Sequence, residues 1–162
     1  MELRYDSYCG LYCGACPFFN ATVEGEEKLD KLYEKIKENN NQIEKSDLKC
    51  KGCKSNTHSA YCENCEIRVC IEKKDLNFCY ECDQYPCEFL SNFRKDSAAH
   101  HSIIFKNLET IQMLGVDKWI ENQEKRWQCD NCSEKFTWYK KICDNCNKEL
   151  FNAVKEEELL EE

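Results

Sequence analysis

Apolar residues in "EGEEKLDKLYEKIKENN" fall at Leu29, Leu32, Tyr33 and Ile36. That i, i+3, i+4, i+7 rhythm predicts a one-faced helix, which "NNNQ" ends. "ENCEIRVCIEKK" predicts a short helix leaving the Cys62/Cys65 pair. Pro86 suits a first helical turn, so "PCEFLSNFRK" is expected to start there with Phe89, Leu90 and Phe93 on one face. "SAAHHSIIFKNLETIQMLG" is the longest helical stretch without cysteine; it repeats Ile104, Leu108 and Ile111 and stops at Gly115. "VDKWIENQEKRW" restarts a helix, with Asp117 as N-cap and Trp119 and Ile120 inward. Phe136, Thr137, Trp138, Tyr139 and Ile142 favour strands, which predicts a short β-hairpin. The tail "EEELLEE" reads as a solvated helix end.

Composition changes this picture sharply, because 15 of the 162 residues are cysteine. Such density marks a disulfide scaffold in a short secreted chain. The opening "MELRYDSYCGLYCGACPFF" is no signal peptide, however, since Glu2, Arg4 and Asp6 interrupt it. No apolar run approaches a membrane span. A cytoplasmic protein with reduced thiols is expected. The odd count cannot close into pairs, and the cysteines come as C-x2-C turns at 13/16, 50/53, 62/65, 79/82, 129/132 and 143/146. Such a turn aims two sulfurs at one point, as tetrahedral metal requires. The 41% hydrophobic fraction includes those thiols; without them it is roughly a third, little for a core of this size. Structural zinc supplies on the order of 10–16 kcal/mol of apparent binding energy that is also folding energy. The formal net charge is −8, and each zinc held by four thiolates adds about −2. That balance disfavours nucleic acid and anionic membranes and leaves protein as the expected partner.

Cys129, Cys132, Cys143 and Cys146 read C-x2-C-x10-C-x2-C, the spacing of a zinc ribbon. Four thiolates close the tetrahedron, so the site is structural. Trp127, Trp138 and Tyr139 have faces on which bases could stack, but in so small a ribbon they read as its core. Eleven cysteines remain: Cys9, Cys13, Cys16, Cys50, Cys53, Cys62, Cys65, Cys70, Cys79, Cys82 and Cys87. Two four-thiolate sites leave three of them, with His58, a carboxylate or water as a further ligand; an exposed loop histidine is the plainer reading of His58. Cys50, Cys53, Cys62 and Cys65, spaced C-x2-C-x8-C-x2-C, form the natural closed site. "CENCEIRVC" and "CYECDQYPC" repeat C-x2-C-x4-C, and the third cysteine of each lies too far round a helix to complete its own pair. Ligands should therefore interleave, with Cys70 or Cys87 completing the group of Cys9, Cys13 and Cys16. That group has the spacing of radical S-adenosylmethionine enzymes but lacks room for their barrel, and Cys16-Pro17 ends like a ferredoxin motif without its full run. No H-E-x-x-H, G-x-S-x-G or phosphate-binding loop is present, and no catalytic residue is assigned.

The expected architecture is a small metal-stabilised α+β fold. Residues 1–95 form a multi-metal cysteine-rich domain, 96–126 a helical connector, 127–150 a zinc ribbon and 151–162 an acidic tail. The expected function is zinc binding, with three to four ions, in a protein-interaction module. The alternative is a redox or metal-dependent enzyme with an open metal site or iron–sulfur cluster near Cys9, Cys13 and Cys16.

"CGLYCGACPFF", "CKGC", "YCENCEIRVCIEKK" and "FCYECDQYPCEFL" resemble a family of short, cysteine-rich prokaryotic proteins catalogued as a domain of unknown function. Members with a stretch similar to "NLETIQMLGVDKWIENQEKRWQC" and a C-terminal ribbon belong to it as well. The resemblance implies metal binding by the eleven cysteines from Cys9 to Cys87. One departure is local: "KKDLNF" lacks a glycine after its second lysine.

Overall fold

The computed structural model describes residues 2–161. Among the described residues, seven α-helices carry the fold: α1 (Pro17–Glu24), α2 (Glu26–Lys37), α3 (Glu66–Lys73), α4 (Glu88–Arg94), α5 (Ile104–Leu114), α6 (Val116–Arg126) and α7 (Ala153–Glu161). Short 3-10 turns link them, and among the described residues three of these (Cys13–Ala15, Ala60–Cys62 and Cys79–Glu81) hold cysteines of C-x2-C pairs.

The helices form where the apolar rhythm places them. Pro17 opens α1 at a position where its missing N–H costs nothing. α2 turns Leu29 inward, puts Glu26 and Glu27 in its first turn and Lys35 and Lys37 in its last, and so complements its own dipole. Leu29 joins Ala21, Ile43 and Leu48 in a small core between α1, α2 and the following loop. The larger core is continuous. It runs from Tyr12 and Ala15 through Ile67 and Ile71 of α3, Leu90 of α4 and Ile104, Leu108 and Ile111 of α5 to Trp119 of α6. Phe136, Leu150 and Ala153 belong to the same cluster.

Two glycines bring the N-terminal strap against this body. Gly10 has φ +88°, and a Cβ there would lie 2.9 Å from the carbonyl oxygen of Ile104. Its own carbonyl accepts from Asn107 Nδ2 at 2.9 Å, which pins the first cysteine loop to α5. Gly52, at φ +109°, faces the Arg4 backbone with no room for a Cβ. Arg4 N–H donates to Lys51 at 2.9 Å, so the strap also meets the Cys50/Cys53 turn.

The α+β expectation is corrected here. Among the described residues there is no strand, only isolated bridges between Gln128 and Lys135 and between Ile142 and Glu149. Each bridge closes one cysteine turn on itself. The intervening residues cannot pair as a hairpin because other segments take their backbone: Trp138 N–H donates to Ala15 at 3.2 Å, and its carbonyl accepts from Ala153 at 2.8 Å. β-propensity loses to this docking.

Two helix boundaries also differ from expectation. α4 begins at Glu88 with the extended Cys87 as cap. Pro86 therefore precedes the helix, and Phe89 is 52% exposed. Gly115 both stops α5 and caps α6, with φ +81°, which places Asp117 inside the first turn of α6.

Candidate metal centres

The C-terminal centre grows from a repeated tetrapeptide, "CDNC", at 129–132 and 143–146. In the first turn, Cys129 N–H donates to Glu134 at 2.9 Å and Ser133 N–H returns to Cys129 at 2.7 Å. In the second, Cys143 N–H donates to Lys148 at 2.9 Å and Asn147 N–H returns to Cys143 at 3.0 Å. Ser133 and Asn147 adopt matching positive φ of 61° and 59°, which reverses the chain after each second cysteine. The two turns therefore present four sulfurs crosswise. Cys129 Sγ lies 3.5 Å from Cys146 Sγ, and Cys132 Sγ 3.5 Å from Cys143 Sγ. All four ligand atoms lie within 4.8 Å of one another. Sulfurs about 2.3 Å from one tetrahedral zinc are about 3.8 Å apart, so this set fits a single ion. The Asn131 side chain and the Lys148 backbone N–H lower the Cys146 thiol to about 6, which favours the thiolate a metal needs.

The N-terminal cysteines are arranged differently. The turns at 13/16, 62/65 and 79/82 are each closed by a hydrogen bond from the second cysteine N–H to the first carbonyl, at 2.9, 3.3 and 3.2 Å. Burial pushes the Cys13 thiol well up, and Cys53, Cys16 and Cys50 repel its charge. Burial likewise takes Cys16 to about 12, partly offset by the N–H groups of Phe19 and Phe18, with Cys50 and Cys62 nearby. Cys53 is raised by burial and by Cys9, Cys65 and Cys62. Burial takes Cys9 to about 11 despite the Ser7 hydroxyl at 3.4 Å. Seven thiols thus crowd one region: Cys9, Cys13, Cys16, Cys50, Cys53, Cys62 and Cys65. Each disfavours its neighbours as thiolates, and a cation among them would reverse that balance.

Cys70, Cys79, Cys82 and Cys87 line one cavity of their own. Cys79 adjoins both groups: it is raised by burial, then by Cys9, Cys87, Cys70 and Cys82. Its N–H donates to Tyr8 at 2.9 Å. The N-terminal loop does fold back onto the later block, but Cys70 and Cys87 stand with Cys79 and Cys82 and not with Cys13 and Cys16. Cys50, Cys53, Cys62 and Cys65 share their region with the N-terminal three. His58 is held by the backbone, its Nε2–H donating to the Cys53 carbonyl at 2.9 Å.

The model of a family described as "Protein of unknown function (DUF3795)" matches residues 5–92, more than half of the chain. The chain belongs to the DUF3795 family. The DUF3795 match takes in all eleven cysteines from Cys9 to Cys87 and ends before the C-terminal four. No curated protein and no solved structure matches the chain.

Two lysines beside the cysteines escaped the sequence reading. Lys54 follows Cys53, and its Nζ lies 2.7 Å from Asp6 Oδ2, with both side chains 7% exposed. It also sits 3.6 Å from the Phe78 ring centroid, one residue before Cys79. Lys74 Nζ donates to Cys82 Sγ at 3.0 Å. Nothing in their local sequence separates either from the solvated lysines around it. The glycine missing after Lys74 is explained as well: Asp75 itself takes the positive φ of 54°.

Proposed function

We propose that this chain is a non-enzymatic zinc-binding protein that serves as a protein-interaction module. Cys129, Cys132, Cys143 and Cys146 hold one structural zinc, and the eleven N-terminal cysteines carry further metal. The convergence of four sulfurs within 4.8 Å supports this reading, because four thiolates leave no coordination position for water or substrate. The zinc centre fixes the chain on either side of Trp138, the residue that docks onto the Cys13–Ala15 turn. Metal then acts as a fastener between the two cysteine regions.

The partner surface in this reading surrounds α4. Open grooves of about 690 and 470 Å³ share Phe89 and Glu66 in their walls. Phe89, Tyr61 and Val69 are 52, 56 and 41% exposed around them. A protein segment offering an apolar side chain fits such a face better than phosphate does, since the chain is net acidic. Among the described residues no helix is long and apolar enough to cross a membrane.

Cobalt substitution tests the metal part. The cobalt-loaded full chain should show a tetrahedral all-thiolate spectrum, and Cys132→Ser should remove one cobalt equivalent. An unchanged cobalt count in Cys132→Ser would sink the reading. For the surface, a protein bound by the wild-type chain should be lost with Phe89→Asp at unchanged metal content; retention would count against α4 as the contact.

A further inference from the structure

Among the described residues three serines are buried: Ser7, Ser59 and Ser102, at 2, 0 and 8% exposure. Ser102 is ordinary, since its hydroxyl donates to the Ala99 carbonyl at 2.8 Å, as a buried hydroxyl should. The other two precede cysteines and behave differently. The Ser7 hydroxyl meets the Cys9 sulfur at 3.4 Å. Ser59 Oγ lies out of reach of solvent and has no hydrogen-bond partner. Ser59 stands three residues before Cys62, whose N–H donates to the Ser59 carbonyl at 2.8 Å. That turn keeps the hydroxyl beside the Cys62 sulfur. Burial raises the Cys62 thiol, and the Ser59 hydroxyl is the foremost influence opposing it.

A buried hydroxyl without an acceptor costs free energy that the fold must recover elsewhere. A neutral thiol is a weak acceptor, whereas a thiolate carries the charge that makes an O–H bond strong. The two serines therefore have full partners only when Cys9 and Cys62 are thiolates. Cys9 is 7% exposed and cannot keep a bare thiolate away from water; a bound metal supplies the missing charge. Backbone donors point the same way. The N–H groups of Leu11, Cys53 and Tyr8 reach the sulfurs of Cys9, Cys13 and Cys53. We propose that Ser7 and Ser59 are positioning residues of an N-terminal metal centre, donating their hydroxyls to the metal-bound thiolates of Cys9 and Cys62. This inference rests on the reading that the N-terminal cysteines carry metal, and it adds the outer groups that orient two of them. Loss of such an outer partner typically costs about 10–100-fold in metal affinity.

The test loads the full chain with cobalt, beside Cys132→Ser, which keeps the N-terminal cobalt alone. Ser59→Ala and Ser7→Ala are placed in both backgrounds, titrated with a chelator and followed by absorption. In each serine variant the N-terminal cobalt should be held about tenfold more weakly or worse. Its sulfur-to-cobalt charge-transfer band should move to longer wavelength, because an O–H bond lowers the sulfur lone pair and its loss makes the transfer easier. The C-terminal cobalt, taken as the difference between the two backgrounds, should not change. Wild-type affinity in Ser59→Ala would overturn the proposal. So would a weaker affinity with an unmoved band, which marks a merely structural role. Ser7→Ala is judged by the same two results and decides the matter if Ser59→Ala does not fold. A Cys132→Ser chain that binds no cobalt would overturn both this inference and the N-terminal half of the proposed function. Cobalt held equally in Cys132→Ser and in its serine variants would overturn this inference alone, so the two readings fail separately.

Discussion

Lys54→Met tests whether a buried ion pair, and not cysteine alone, sets the N-terminal geometry. The substitution keeps the apolar stem and removes the charge that meets Asp6 at 2.7 Å. Both side chains are 7% exposed, so the stranded carboxylate has little access to water. Its remaining partner is Arg4 Nε at 3.4 Å, on a side chain that is 40% exposed. Removing one member of a buried pair costs about 3–5 kcal/mol. Loss of the ammonium over Phe78 adds to this, and Arg4 offsets part of it. We expect a net loss of about 3–4 kcal/mol, a large share of the roughly 5–15 kcal/mol typical of a folded domain. The pH dependence follows from Asp6. Burial alone would raise its pKa, but Lys54 and Arg4 outweigh burial and hold it below 3.8. Its contribution is therefore present above 3.8 and lost as pH falls through the lower folded value. In Lys54→Met, burial is opposed by Arg4 alone and the folded pKa should rise, so the gap from wild type should narrow between pH 7 and pH 4. Urea unfolding, followed by tryptophan fluorescence at equal metal content, measures this. Asp6→Asn in the Lys54→Met background should recover part of the loss. A wild-type-to-variant difference under about 1 kcal/mol at pH 7, within the range of an exposed pair, would refute the argument.

Gly52→Ala should cost more than about 2 kcal/mol, through its positive φ and the Arg4 backbone behind it, whereas Gly25→Ala, at φ +103° with nothing within 4 Å, should cost about 1 kcal/mol; equal losses in urea unfolding would contradict the packing reading. His100 stacks on Trp138 at 3.7 Å and bonds Tyr139 Oη at 2.7 Å, and burial, then His101, lowers its pKa from 6.5 to about 3. The unfolded chain therefore binds this proton first, so stability should fall as pH drops below about 6.5; NMR showing the His100 ring titrating near 6.5 in the folded protein would contradict this. Full chelation under reducing conditions should abolish tertiary fluorescence, because metal supplies much of the folding energy; an unchanged spectrum after complete removal would argue against a metal scaffold.

The elements read correctly from sequence are those whose evidence is local. α2 and α5 announce themselves through Leu29 and Leu32, and Ile104, Leu108 and Ile111, since helical periodicity is written within a few turns. The C-terminal cysteine set was legible for the same reason: its four cysteines lie within one short segment. The β-hairpin failed because Trp138 bonds to Ala15 and Ala153, partners no local propensity can reveal. The grouping of the N-terminal thiols is not written locally either. Cys70 and Cys87 are parted from Cys13 and Cys16 by how α3 and α4 pack, and spacing in the chain does not encode that packing. Lys54 and Lys74 look like solvated charges until Asp6 and Cys82 arrive from elsewhere in the fold.

The central claim is that Cys129, Cys132, Cys143 and Cys146 enclose one metal ion. Zinc analysis and zinc-edge X-ray absorption on the full chain, beside its Cys143→Ser variant, test it most directly. The account predicts a zinc shell of sulfur at about 2.3 Å and one zinc fewer per chain in the variant. Equal zinc in the two proteins, or a shell without sulfur, would contradict it.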